Sequence, residues 1–181
     1  MSPETLEKKG SKIIHWAANN GEYQLLITEN AWHTFEIECN KAERVETGGI
    51  LIGYYYDDKS TAVITDATPP PVDSVSGTSW FQRGISGLKK LLFEHWLTKD
   101  QRQYYLGEWH YHPTTLLEPS SVDLNQMFLI NQTIEYHCKQ PIMILLGERL
   151  TGTRQIRVYI FPFGRQPQEF HKLSFNENLK I

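Results

Sequence analysis

The chain has 181 residues, enough for one well-buried core and too short for two ordinary domains, so a single domain over residues 1–181 with short polar extensions at both ends is expected. With 18 basic against 21 acidic residues and a formal net charge of -3, it lacks the basic stripe that neutralising a phosphate backbone requires, which argues against nucleic acid as the main partner. No apolar run approaches the ~20 residues of a bilayer span, and Met1 to Lys12 is polar without the apolar centre of a secretion signal, so a cytoplasmic protein with no membrane partner is expected.

Along the chain, Tyr23 to Ile27 reads as a short strand. Thr28, Glu29 and Asn30 then supply helix-start chemistry, and Trp32, Phe35, Cys39 and Ala42 recur at helical spacing. Glu46-Thr47-Gly48-Gly49 leads into an apolar and aromatic run, Ile50 to Tyr56, which predicts a central strand. Ala62 to Ala67 pairs with it as a hairpin across Asp57 to Ser60. Thr68 to Gly77, with Pro69-Pro70-Pro71, is too rich in turn formers for regular structure and reads as a loop or flap. A second helix starts near Gly84 or Ser86 and places Leu88, Leu91, Leu92, His95 and Trp96 on one face. Arg102 to Trp109 is the next strand. A third helix runs from Ser120 to about Cys138, with Leu124, Met127, Phe128, Leu129 and Ile134 toward the core, and Pro141 blocks its extension. Ile142 to Leu146 and Arg154 to Phe161 form a late hairpin, and the chain after Pro162 is left unassigned. Hairpins mixed with helices, without regular alternation, favour an α/β sandwich with a mixed, largely antiparallel sheet flanked by helices. Cys39 and Cys138 are read as buried small residues, because neither lies in a C-x-x-C pair.

The richest chemistry lies in Gly107-Glu108-Trp109-His110-Tyr111-His112-Pro113, followed by Ser120-Ser121-Val122-Asp123. Two histidines separated by one residue on a strand point to the same face. Ser120 and Asp123 form the S-x-x-D version of a capping box, which puts Asp123 on the first turn of a helix. Two imidazoles and one carboxylate make a three-ligand set with an open fourth position, the plan of catalytic zinc. Simpler readings stand beside this one: a polar histidine pair on an exposed strand, a serine that only caps, Ser121 in place of Ser120, and a Glu46 that merely ends a helix. Glu108 shares the histidines' face, as a hydrogen-bond partner for a ligand ring or as part of a surface ion pair, and Trp109 points into the core.

Together, Glu46 in E-x-G-G-x-L-x-G, His110 and His112 in H-x-H-P, and Ser120 and Asp123 in S-x-x-D resemble the signature of the JAMM/MPN (JAB) metallopeptidases. Pro69-Pro70-Pro71-Val72-Asp73-Ser74, Phe81-Gln82-Arg83 and the Gly107-Glu108-Trp109 context narrow the likeness to bacterial JAMM peptidases of CBASS-type antiphage operons. The resemblance implies a cytidine-deaminase-like/MPN fold and Zn2+ on His110, His112 and Asp123, with the pKa of its water lowered to about 7. It further implies Glu46 as general base and acid and Ser120 as oxyanion donor. The implied partner is a ubiquitin-like modifier or its conjugate, in CBASS the conjugate of a cyclic-nucleotide synthase (CD-NTase), cut at the amide after the modifier's C-terminus. The Pro69 to Gly77 loop is then placed to clamp the modifier's C-terminal peptide by strand addition. Alternatives are a noncatalytic MPN scaffold and a processing enzyme for a sulfur-carrier-like protein.

Overall fold

The computed structural model describes residues 14–56 and 58–173. The expectations for Met1 to Lys12, for Asp57 in the hairpin turn and for a polar C-terminal extension after residue 173 lie outside the described residues. Among the described residues, ten strands and three α-helices follow in the order β1 (Ile14–Ala18), β2 (Tyr23–Ile27), α1 (Glu29–Ala42), β3 (Thr47–Tyr55), β4 (Thr61–Ala67), β5 (Val75–Ser76), β6 (Phe81–Gln82), α2 (Leu88–Trp96), β7 (Tyr104–Tyr111), α3 (Ser121–Gln132), β8 (Ile142–Leu150), β9 (Thr153–Ile160) and β10 (Gln168–Lys172). Eight strands close into one sheet in the order β1-β10-β9-β8-β7-β3-β4-β2, and β5 with β6 forms a separate hairpin. Among the described residues, only β2 with β4 and β7 with β8 run parallel.

Strand periodicity explains the layering. Leu51 belongs to one buried cluster and Ile50 and Ile52 to another. Ile142, Ile144 and Leu146 likewise separate from Met143 and Leu145, as residues on opposite faces of a pleat must. Phe35 and Cys39 of α1 pack into the first cluster, while Met127 and Ile130 of α3 pack into the second, with Leu88, Leu91 and Leu92 of α2 against it. Covered on both sides, β3 is buried from Thr47 to Tyr54, which is why its sequence is a continuous apolar run without alternation. Thr28 caps α1 by accepting the Ala31 N–H.

The mixed, largely antiparallel sheet between helices matches expectation, but the sandwich does not: the sheet closes on itself. Closure comes from β1 and β10, which pair at Trp16 with Lys172 and Ala17 with His171. Each strand is five residues long, and β10 buries only Phe170, too little for a periodic signal. The third helix also ends earlier than expected, at Gln132, because Thr133 turns extended (φ -82°, ψ 118°) and Ile134–Tyr136 forms a 3-10 turn. Ile134, beyond the helix, is exposed; within the helix Leu129 faces solvent as well, and Ile130 and Asn131 are buried. The segment read as irregular contains β5 and is tied down: the Asp73 carboxylate accepts the N–H groups of Ile85 and Ser86, and Ser74 Oγ accepts that of Gly84. Among the described residues, no helix is long and apolar enough to cross a membrane.

Candidate metal centre

Strand β7 carries the first half of the site. Trp109 turns inward and is fully buried, its ring 5.3 Å from Phe35 and its Nε1 donating to the Thr68 carbonyl. The alternation then aims Glu108 and His110 at the opposite face. His112, just past the strand, is held by its own N–H donating to the Leu146 carbonyl at 2.8 Å. Gly48 lies opposite His110 in the β3–β7 ladder, and a Cβ there would come within 2.4 Å of the Trp109 carbonyl oxygen and 2.9 Å of His110 Cδ2. Space beneath the imidazole therefore requires glycine. Gly48→Ala is expected to push His110 out of place and weaken zinc binding about tenfold, read by chelator competition. Unchanged affinity would mean that the ring position does not depend on this contact.

Helix α3 carries the second half. Its capping box is formed as expected: Ser120 Oγ accepts the Asp123 N–H at 3.2 Å, and the Asp123 carboxylate accepts the Ser120 N–H at 2.7 Å. The Ser120 hydroxyl also donates to Asp123 Oδ2 at 2.6 Å. Asp123 points inward at the histidines, with Oδ1 2.8 Å from His110 Nδ1 and Oδ2 3.6 Å from His112 Nε2. One candidate ligand atom from each of His110, His112 and Asp123 lies within 4.8 Å of the others, and among the described residues these three form the group arranged to hold an ion. Two neutralisable imidazoles and a carboxylate, with His112 and Asp123 buried, suit a borderline metal such as zinc.

Glu46, half-buried just before β3, joins His110, Ser120 and Asp123 in the wall of one cavity of about 440 Å³. It stands outside the three-donor group, and its backbone N–H donates to the Gly77 carbonyl at 2.8 Å. Burial raises its carboxyl pKa above the ordinary value, and Asp123 adds to this while His112 and His110 oppose it. Both Ser120 and Ser121 are exposed, but Ser120 lines this cavity and Ser121 does not. Trp80 and Val122, 51% and 73% exposed, add apolar surface to the wall.

Glu108 is 3% exposed and faces His110 Nε2 through Oε2 at 3.6 Å, while Oε1 accepts from Arg83 Nε and Nη2 and from the Tyr105 hydroxyl. Sequence reasoning singled out Glu108 but assigned no role to Arg83 or to Phe81, whose ring lies edge-on to His110 at 5.8 Å. A buried carboxylate beside a histidine needs a cation, and that requirement was the available signal for an arginine. Both cysteines are buried and free, and desolvation pushes each thiol up to about 12, in keeping with a packing role.

Burial disfavours a charged His110, but Asp123 and Glu108 outweigh it and lift its pKa to about 9. Burial likewise opposes ionisation of Asp123 and Glu108, yet His110 with Ser120 for the one, and His110 with Arg83 for the other, hold both at about 2. An unfolded histidine titrates near ~6.5. Without metal, the stabilisation from protonated His110 is complete below that value and lost as pH rises through about 9. The metal-free protein is expected to lose resistance to urea over this span, and an ion held through His110 would bind more tightly as the ring sheds its proton. A urea midpoint independent of pH from 6 to 9 would contradict the ion-paired geometry.

The family model for prokaryotic homologues of the JAB domain matches residues 28–159, a span that contains Glu46, His110, His112, Ser120 and Asp123 and leaves out β1, β2 and β10. A protein of Enterobacter hormaechei subsp. hoffmannii named CD-NTase/cGAS isopeptidase is 40% identical over 156 residues, covering 86% of this chain and 85% of its own. A protein of the same name from Pseudomonas aeruginosa is 26% identical over 112 residues, covering 61% of this chain and 70% of its own. Among solved structures, the solution structure of protein DSY2949 from Desulfitobacterium hafniense superposes with a TM-score of 0.53 at 14% identity, covering 82% of this chain and 88% of that one, a likeness of fold.

Proposed function

This chain belongs to the family of prokaryotic homologues of the JAB domain, and from that premise we propose that it is a zinc-dependent isopeptidase. In this proposal it hydrolyses the amide between the C-terminus of a ubiquitin-like modifier and an amine of its target. The observation that carries the reading is the convergence of His110, His112 and Asp123 within 4.8 Å, with Glu46 in the wall of the same cavity but outside the donor set. His110, His112 and Asp123 would hold the ion. Bound zinc supplies Lewis acidity and water with a pKa of about 7 in place of about 15.7.

The remaining chemistry falls to the chain's own groups. Glu46 takes a proton from the attacking water and returns it to the departing nitrogen, so that the carbon–nitrogen bond breaks with a neutral amine as leaving group. The raised pKa of its carboxyl, caused first by burial, favours this return. Ser120, on the cavity wall, donates its hydroxyl proton to the oxygen of the tetrahedral carbon. Trp80 and Val122 offer apolar contact to the substrate chain, and the β5–β6 hairpin offers main-chain groups to an extended peptide.

The identity to the Enterobacter protein named CD-NTase/cGAS isopeptidase supports conjugates of a CD-NTase as the substrate class. On this reading the protein works in CBASS-type antiphage defence, in the cytoplasm. The test is incubation of zinc-loaded protein with a modifier–CD-NTase conjugate and intact-mass analysis of the products. Release of both unmodified partners, abolished by chelation and restored by zinc, is expected. An uncut conjugate at full zinc occupancy would defeat the proposal.

A further inference from the structure

We infer that Arg83 and Glu108 are positioning residues through which the β5–β6 hairpin sets the orientation of His110. The inference rests on the reading of His110, His112 and Asp123 as a metal centre. Three donors converge on one oxygen of Glu108: Arg83 Nη2 at 2.8 Å, Arg83 Nε at 3.2 Å and the Tyr105 hydroxyl at 3.2 Å. The other oxygen faces His110 Nε2, while His110 Nδ1 faces Asp123. The ring is thus set between two carboxylates. One of them is fixed by an arginine that belongs to a different part of the chain.

Arg83 directly follows β6 and is itself anchored by Nη1 donating to the Gly84 carbonyl at 2.8 Å. The hairpin reaches the site at two further points, the Phe81 ring edge-on to His110 and the Gly77 carbonyl accepting the Glu46 N–H. It therefore touches both the first histidine and the residue assigned as base. Arg83 also neutralises Glu108, and an unpaired buried carboxylate beside the centre would be free to swing toward an ion as a competing ligand. Carboxylate partners of ligand histidines orient the ring, and their loss costs roughly 10-fold to 100-fold in metal affinity or activity. The same range is expected when the arginine holding that carboxylate is removed.

The experiment measures three quantities for wild type, Arg83→Ala, Arg83→Lys and Glu108→Gln: zinc affinity by chelator competition, kcat and KM on a modifier conjugate, and the urea midpoint. Arg83→Ala and Glu108→Gln should each weaken zinc binding roughly 10-fold to 100-fold and lower kcat with KM changed less than about threefold. Arg83→Lys, which keeps the buried charge compensated and so keeps the fold if the alanine variant does not, should show a smaller loss of the same two quantities. Wild-type zinc affinity in folded Arg83 variants, with only KM raised, would make Arg83 a substrate contact and overturn the inference. A lowered urea midpoint with zinc affinity and kcat intact would make the pair purely structural and overturn it equally. Wild-type protein that binds zinc but cleaves no conjugate would remove the isopeptidase reading and leave the inference to the affinity data. A wild type that binds no zinc would overturn both.

Discussion

Replacing Glu46 by glutamine is expected to lower kcat on a modifier conjugate by roughly 100-fold to 10,000-fold while the protein keeps its zinc, the range that a lost general base gives. The geometry separates the two outcomes. Glu46 is outside the group of three donors whose atoms lie within 4.8 Å, so a carboxamide in its place removes proton transfer and no ligand. Its fixed contact is made by the backbone, the N–H donating to Gly77, and side-chain substitution leaves that bond alone. Among the described residues Glu46 makes no ion pair, and burial outweighs the pull of His112 and His110 on its carboxyl, so neutralising it relieves a desolvation cost and the urea midpoint should hold or rise slightly. Metal analysis and steady-state kinetics on the same preparation decide the matter. Loss of zinc in the variant would make Glu46 a ligand, and an unchanged kcat would place the base elsewhere.

Legibility in the sequence followed the range over which each signal acts. The spacing of His110 and His112 and the capping box joining Ser120 to Asp123 are local; the capping box forms as the local rule requires, and the two histidines converge with Asp123 although His112 lies one residue past β7. Apolar runs marked β3 and β8 because strands covered on both faces need them. The approach of Glu46 to the histidines spans some sixty residues, and no spacing rule gives it; it came from the resemblance, and the pairing of Gly48 with His110 is what brings it about. Arg83 entered only through the Phe81-Gln82-Arg83 likeness, and its tie to Glu108 escaped for the same reason, since the partner is 25 residues away and the need for it appears only once Glu108 is seen to be buried. β1 and β10 are short and weakly patterned, so that closure of the sheet is a tertiary fact with almost no local trace. At the end of α3 the apolar spacing continued past Gln132, but the backbone of Thr133 broke it.

Substituting Ser120 by alanine should produce two effects of different origin, and their separation decides whether this hydroxyl acts on substrate. The first is structural. Ser120 Oγ accepts the Asp123 N–H and donates to Asp123 Oδ2, so its removal uncaps α3 at a cost of about 1 kcal/mol and frees the carboxylate from one of its donors. That loss appears in the urea midpoint and, through the looser Asp123, as a modest fall in zinc affinity. The second effect is a drop in kcat of roughly 100-fold to 1000-fold at saturating zinc, the consequence of losing one oxyanion donor. A hydroxyl carries one proton, and here Ser120 donates it to Asp123 Oδ2, so the same proton must turn toward substrate for the larger effect to exist. Ser120→Thr keeps both the cap and the proton and should retain most of the rate. Ser121→Ala, at an exposed position outside the cavity, should leave kcat within about twofold, since surface substitutions of this kind do little. If kcat in Ser120→Ala merely follows zinc occupancy and recovers when zinc is raised, the serine only caps the helix, and the oxyanion must be met by another donor.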